Sequence, residues 1–329
     1  MGKLEDDLEN EDLARIMVYG PPGSRKTWWA ARAAELGFNV ILADLDNGYK
    51  ITRQLSPEAR KRVFRLDMRA PNDGYENCGA MALSHALNGN ACYFDEETRK
   101  YTPRTKLEAD KTYVHLDFTK LTSRDVLVLD SWTIFVQQLG LVSRSVLDPI
   151  KIAKFEWDDY AKIRLVLDHV LSNMKRLNCH MIVIGHSETN AKRKKNAGEK
   201  EKPETAIEQI RLQPASATRA HGELMANAFS DVLYFEIPNT LQGTVIDTSG
   251  SVDFDAKSRS LAPKSYKFAD LDFTPFVSPS HVAAVADNET FTSEGIREVL
   301  GSEVTTASET NANIDVGTGK GFVLNLGKK

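Results

Sequence analysis

Cysteine is scarce in this chain: Cys78, Cys92 and Cys179 are the only three in 329 residues. Their spacing fits neither a disulfide framework nor a thiolate metal site, so reduced, inert thiols are expected. No stretch approaches the roughly 20 apolar residues of a membrane-spanning helix. The N-terminus also lacks the basic and apolar regions of a secretory leader, which makes the expected location cytoplasmic, with no membrane partner. Positive charge is not in excess either. A net charge of −4 and a pI near 6.0 exclude a uniformly basic nucleic-acid coat and confine any such contact to a local patch. There is no internal repeat.

What the chain does have is enough apolar content, 41%, for a substantial core. Strand-length apolar runs fall at Ile16–Tyr19, Asn39–Ala43, Val63–Leu66, Val126–Leu129, Met181–Ile184 and Val232–Ile237. They alternate with helical patterns at Lys26–Leu36, Tyr75–Leu87, Trp132–Val142 and about Phe155–Leu177. In the last of these Ile163, Val166, Leu167, Val170, Leu171 and Met174 recur at three- and four-residue spacing, the stripe of a helix packed on a sheet. Alternation of this kind predicts an α/β fold with a mostly parallel central sheet flanked by helices.

The first of these strands runs straight into a turn and a helix: from Ala14 the sequence reads ARIMVYGPPGSRKTWW. Gly20-Pro21-Pro22-Gly23-Ser24-Arg25-Lys26-Thr27 matches the phosphate-loop pattern GxxxxGK[ST] except at Arg25, where a glycine is usual. Such a loop curls successive backbone N–H groups around a polyphosphate and points a helix N-terminus at it. Lys26 then reaches the terminal phosphates and Thr27 holds Mg2+. The candidate nucleotide-binding set is Gly20 to Trp28, with ATP and Mg2+ as the expected cofactors. Arg25 either demands a backbone that a Cβ disfavours or adds charge beside the phosphates.

Other strand ends supply candidate partners for this loop. Asp125-Val126-Leu127-Val128-Leu129-Asp130-Ser131 is an apolar strand leading into an aspartate, which makes Asp130 the candidate metal-side acid beside Thr27; a helix N-cap is its alternative role. Asn39 to Ala43 leads into Asp44-Leu45-Asp46-Asn47-Gly48, where both acids could equally be turn formers. His186 follows the run Met181–Ile184 and is placed to sense a γ-phosphate and pass the signal onward.

Charge and composition divide the rest. Residues 1–13 form an acidic tail with Glu5, Asp6, Asp7, Glu9, Glu11 and Asp12 against Lys3. The core spans 14–286. Within it, 91–115 reads as an inserted polar hairpin and 189–217 as a long mobile loop with a basic head at Lys192, Arg193, Lys194 and Lys195. That loop holds no aromatic residue, so it offers backbone contact without base stacking. Residues 287–329, rich in Thr, Ser, Glu, Asn and Gly, are expected to be a disordered tail.

The ordered set GPPGSRKT, ADLDNG, VLVLDSW, Trp157-Asp158-Asp159-Tyr160, VIGHSE, AFSDVLYFE and Ala256-Lys257-Ser258-Arg259 resembles the phage RecA-like ATPases, and among them the Sak-type single-strand annealing proteins. The likeness covers about Ala14 to Phe268. It implies a RecA-like P-loop core that hydrolyses ATP on single-stranded DNA in phage-type recombination or replication. It also implies a homo-oligomer, ring or filament, with a single-strand binding protein as a further partner. Under it Asp130 becomes the Walker B acid, Asp46 the water-activating carboxylate with Asp44 as its alternative, and His186 the sensor. Lys257 and Arg259 become a finger reaching a neighbour's site, and Lys192–Lys195 the DNA-binding run. Two other functions stay open: a nucleotide-gated loading factor with little hydrolysis, and a small-molecule phosphotransferase.

Overall fold

The computed structural model describes residues 13–69, 79–89, 92–95, 100–103, 113–143, 157–193, 207–214, 225, 228–236, 244–247, 264–267 and 271–286. The phosphate-loop strand β1 (Arg15–Gly20) feeds helix α1 (Lys26–Ala31), which continues as a 3-10 turn over Arg32–Leu36. Then come β2 (Asn39–Asp44), a 3-10 helix (Gly48–Gln54), α2 (Pro57–Lys61), β3 (Val63–Asp67) and α3 (Gly79–Leu87). Strands β4 (Cys92–Asp95), β5 (Lys100–Pro103) and β6 (Tyr113–Leu116) precede β7 (Asp125–Asp130), α4 (Trp132–Ser143) and α5 (Trp157–Lys175). The chain continues through β8 (His180–Arg193), β9 (Ile207–Pro214), β10 (Asp231–Phe235), β11 (Thr244–Asp247), β12 (Lys264–Lys267) and α6 (Pro279–Ala286).

The nine-stranded main sheet has the order β12-β11-β10-β1-β8-β7-β2-β3, with β9 attached to β8. From β10 through β3 all pairings are parallel, while β11, β12 and β9 are antiparallel additions. The strand carrying His186 thus lies between the phosphate-loop strand and the strand ending in Asp130, and all three reach the same sheet edge.

Side chains alternate across the pleat. Met17, Tyr19, Ile41, Ala43, Leu127, Leu129, Met181 and Val183 pack on one face with Leu83 of α3, Phe135 of α4 and Leu167 of α5. Ile16, Val18, Val40, Leu42, Val126, Val128, Ile182 and Ile184 pack on the other with Trp29 and Ala30 of α1 and Val285 of α6. The central strands are buried on both faces, which is why they read as unbroken apolar runs. On α5, Ile163, Leu167, Val170, Leu171 and Met174 are buried, and Val166 is partly so. Trp29 donates its indole N–H to the Leu271 carbonyl at 3.1 Å and meets Phe235, Phe273 and Phe276 edge-on, fixing the segment before α6 against α1.

At the opposite sheet edge His180 ties β8 to β1, its Nδ1 accepting the Ala14 N–H at 3.0 Å. Burial, with His281 and Arg15 nearby, pushes this imidazole down to about 3, so it remains a neutral acceptor.

Two segments differ from their sequence reading. The 91–115 insert holds three strands, not two: β4 pairs antiparallel with both β5 and β6 in a sheet of its own, and β6 extends to Leu116. The 189–217 segment is a hairpin over its described residues, with Ser187–Arg193 pairing with Ile207–Pro214. In sequence Ile207, Ile210 and Leu212 do not keep a strict two-residue repeat, and the pairing shifts register at the same place, Lys192 opposite Gln209 but Arg193 opposite Ile207, with Glu208 as the extra residue. The acidic N-terminal tail and the 287–329 tail lie outside the described residues, apart from Leu13. No described helix is long and apolar enough to cross a membrane.

Candidate nucleotide site

The loop after β1 is set by one close approach and two left-handed residues. A Cβ on Gly20 would stand 2.3 Å from the Phe235 carbonyl oxygen of β10, so only glycine lets β1 and β10 end side by side here. Gly23 turns at φ +80°, and Arg25 adopts φ 64°, ψ 23° immediately before α1. The left-handed backbone that the missing glycine would supply is therefore present, carried by an arginine at a cost of about 1–2 kcal/mol.

Lys26 is buried. Its Nζ donates to the Gly20 carbonyl at 2.9 Å, the Pro21 carbonyl at 2.8 Å and Ser24 Oγ at 3.1 Å. Burial pulls its pKa down to about 8, against the pull of Asp130 and Asp46, so the ammonium is still the main form at neutral pH. Thr27 Oγ1 donates to Asp130 Oδ2 at 2.7 Å. Asp130 is 3% exposed, and burial pushes its carboxyl up to about 7. Thr27 and Lys26 oppose that rise, while Asp44 and Asp46 add to it.

The two acids after β2 are placed differently. Asp44 is fully buried, takes Arg65 Nε at 2.6 Å on one oxygen and the Gly48 N–H at 3.0 Å on the other. Arg65 in turn lies 3.6 Å over the Tyr49 ring. Asp46 is partly exposed, and its Oδ2 lies 3.4 Å from His186 Nε2. The N–H groups of Leu45 and Asp46 both reach the Asp130 carbonyl, at 2.5 and 3.3 Å, which seats the turn against the end of β7. His186 pairs in register with Gly20, and its N–H donates to Thr133 Oγ1 of α4 at 2.9 Å.

The structure therefore brings Lys26, Thr27, Asp130, Asp46 and His186 to one sheet edge. Trp28, at the far end of the proposed nucleotide set, is half-buried, with the Arg32 guanidinium 5.0 Å over its ring. Three residues that the sequence reading did not place also belong here. From sequence Gly48 reads only as part of a turn, Arg65 as a strand residue and Thr133 as a helix residue.

A family model described as an AAA domain matches residues 13–260. The chain belongs to this AAA-domain family. The match spans the phosphate loop, both acids after β2, Asp130 and His186, and the protein carries an AAA/P-loop ATPase-type domain. That supports nucleotide binding and hydrolysis in general. It does not reach the narrower likeness to Sak-type annealing proteins. No curated protein matches the chain.

The AAA-domain site fits Mg2+ by its chemistry. Thr27 and Asp130 already share a hydrogen bond, and Gly48 has no Cβ to fill the space beside them. Among the described residues no three His, Cys, Asp or Glu gather as a metal site. Of the other candidates, Lys192 and Arg193 lie at the end of β8. Lys194, Lys195, Lys257 and Arg259 lie outside the described residues, the last two between β11 and β12 in sequence.

Proposed function

We propose that this AAA-domain protein is a RecA-like ATPase that acts on single-stranded DNA as a homo-oligomer, in strand annealing or exchange of the phage recombination type. The observation that carries this reading is one strand: β8 holds His186 opposite Gly20 of the phosphate loop and continues unbroken to Lys192 and Arg193. Phosphate chemistry at one end can thereby be felt at a basic hairpin at the other.

In this account Lys26 would hold the β- and γ-phosphates, and Thr27 and Asp130 would hold Mg2+, whose chemistry when bound would be to offset negative charge on the phosphoryl group. Asp46 accepts the proton of the attacking water as the water oxygen bonds to the γ-phosphorus and the bond to the ADP oxygen breaks. Asp44 is unsuited to that task because Arg65 and Gly48 engage both its oxygens. Lys192–Lys195 neutralise DNA phosphates, and Arg259 with Lys257 reaches the neighbouring subunit's site as an electrostatic clamp. The reaction belongs to the cytoplasm, and a single-strand binding protein is a natural co-occupant of the same DNA.

A second reading, a loading factor gated by nucleotide and slow to hydrolyse it, draws support from Arg25, whose left-handed backbone stands where a glycine is usual. The small-molecule phosphotransferase reading would need a lid with several arginines, and the 189–217 segment carries in its sequence five lysines and two arginines and follows the wrong strand.

Phosphate release with and without single-stranded DNA, across salt, tests the proposal. DNA should raise the rate, and neutralising Lys192–Lys195 should remove up to roughly 0.7 units of log–log salt slope per lost contact, alike for every sequence. A rate indifferent to DNA points to the loading factor, and an unchanged salt slope removes the basic run from the interface.

A further inference from the structure

The 3-10 helix Gly48–Gln54 walls the nucleotide site without a core of its own. None of its residues is fully buried, and Asn47, its N-cap residue, makes no side-chain cap. Hydrogen-bond geometry in a 3-10 helix is poorer than in an α-helix, so the seat of this one depends on contacts from elsewhere. Two meet its first turn. The Gly48 N–H donates to Asp44 Oδ1 at 3.0 Å, which supplies the missing cap. The Tyr49 ring lies under the Arg65 guanidinium, whose Cζ is 3.6 Å from the ring centroid. Both contacts lead back to one residue, because Arg65 Nε donates to Asp44 Oδ2 at 2.6 Å. Arg65 is itself fixed: it stands on β3 opposite Leu42, its side chain is 20% exposed, and its Nη2 lies 3.3 Å from Asp67 Oδ2.

We propose that Arg65 is a positioning residue for the Mg2+ side of the nucleotide site, clamping Gly48 and Tyr49 from β3 so that Thr27 and Asp130 stay aligned for the ion. This rests on the reading of Thr27 and Asp130 as the metal-side pair and adds the residue, two strands away from Asp130 in the sheet, that holds them in place. Gly48 approaches the pair so closely that a Cβ on it would meet both Asp130 Oδ2 and Thr27 Oγ1. While Gly48 is held, the carboxylate has no room to turn away from the hydroxyl. Mg2+ tolerates little departure from octahedral geometry, so this alignment bears on the ion more than on ATP itself. Arginine suits the task and lysine does not, because only a planar guanidinium can lie flat on the ring while its Nε serves a carboxylate. The same contact compensates the charge of Asp44, which is fully buried.

ATP affinity of the whole protein, by titration calorimetry with Mg2+ and again with EDTA, tests the clamp at a temperature well below each variant's Tm. Arg65→Ala would strip the buried Asp44 of its cation and endanger the fold, so Tyr49→Leu, Tyr49→Phe and Arg65→Lys carry the test. Tyr49→Leu should lose about threefold to thirtyfold of the affinity gained with Mg2+, the range to which a cation–π contact corresponds, and keep wild-type affinity in EDTA. Arg65→Lys should show the same selective loss. Tyr49→Phe, which keeps the ring, should keep the wild-type gain. An undiminished Mg2+ gain in either Tyr49→Leu or Arg65→Lys overturns the clamp, and so does an equal loss in EDTA or in Tyr49→Phe. A wild-type affinity that Mg2+ leaves unchanged overturns instead the metal-side reading of Thr27 and Asp130, so the two failures are told apart.

Discussion

Gly48 stands against Asp130: a Cβ at position 48 would lie 2.5 Å from Asp130 Oδ2 and 3.1 Å from Thr27 Oγ1. No side-chain carbon approaches a carboxylate that closely, so the glycine keeps open the space where Thr27 and Asp130 meet. The Gly48→Ala variant should fold, because the neighbouring turn is exposed. It should also lose at least tenfold in Mg2+-dependent ATP affinity, read by titration calorimetry with and without Mg2+. Unchanged affinity would mean that the turn moves aside freely and takes no part in the metal site.

Asp130 makes the site sensitive to pH. Its folded pKa of about 7 lies above the ordinary carboxyl value of 3.8, so the folded protein binds more protons than the unfolded chain between those values. Stability from this group is therefore present at low pH and lost as pH rises through about 7. Asp130→Asn should raise the Tm at pH 8, raise it less at pH 5 and change it little only below the ordinary carboxyl value of 3.8, by scanning calorimetry without nucleotide. The gain is on the order of 1–4 kcal/mol, the worth of a shift of this size. Mg2+ needs the ionised carboxylate, so from pH 6 to pH 7, below the range in which Lys26 loses its proton, wild-type Mg2+-ATP affinity should rise more steeply than that of the variant.

Arg25 tests the loop itself. Arg25→Gly relieves a left-handed arginine at φ 64° and should stabilise the protein by up to about 1 kcal/mol in urea unfolding, the relief being partly offset by the greater freedom of glycine in the unfolded chain. Nucleotide affinity or turnover should change with it. If neither stability nor nucleotide chemistry moves, the arginine is a tolerated substitution.

The phosphate loop and the central strands were legible because each is a local pattern: apolar runs buried on both faces, a motif of fixed spacing, and a helical stripe from Ile163 to Met174. What was not legible depends on pairing between distant segments. Ser187–Arg193 and Ile207–Pro214 look like a charged loop until they are set side by side. Strands Thr244–Asp247 and Lys264–Lys267 are four residues each and carry no periodicity of their own. The same holds at the site. Asp44 and Asp46 are equivalent in sequence, and only Arg65, brought opposite Leu42 by the β2–β3 register, separates the buried acid from the accessible one. Gly48 looked like any turn glycine because Asp130, its close neighbour, is far away in the chain.

The central claim is an ATP site in which Lys26 binds and Asp46 acts on water, and the most direct measurement separates those losses. ATP binding and phosphate release should be followed together, with single-stranded DNA present, for wild type, Lys26→Ala and Asp46→Asn. Removing the one cation held inside the loop should abolish binding in Lys26→Ala. Asp46→Asn should bind ATP as well as wild type and release phosphate at least 100-fold more slowly, the usual weight of a general base. Equal phosphate release by wild type and Asp46→Asn, or tight ATP binding by Lys26→Ala, would contradict the account.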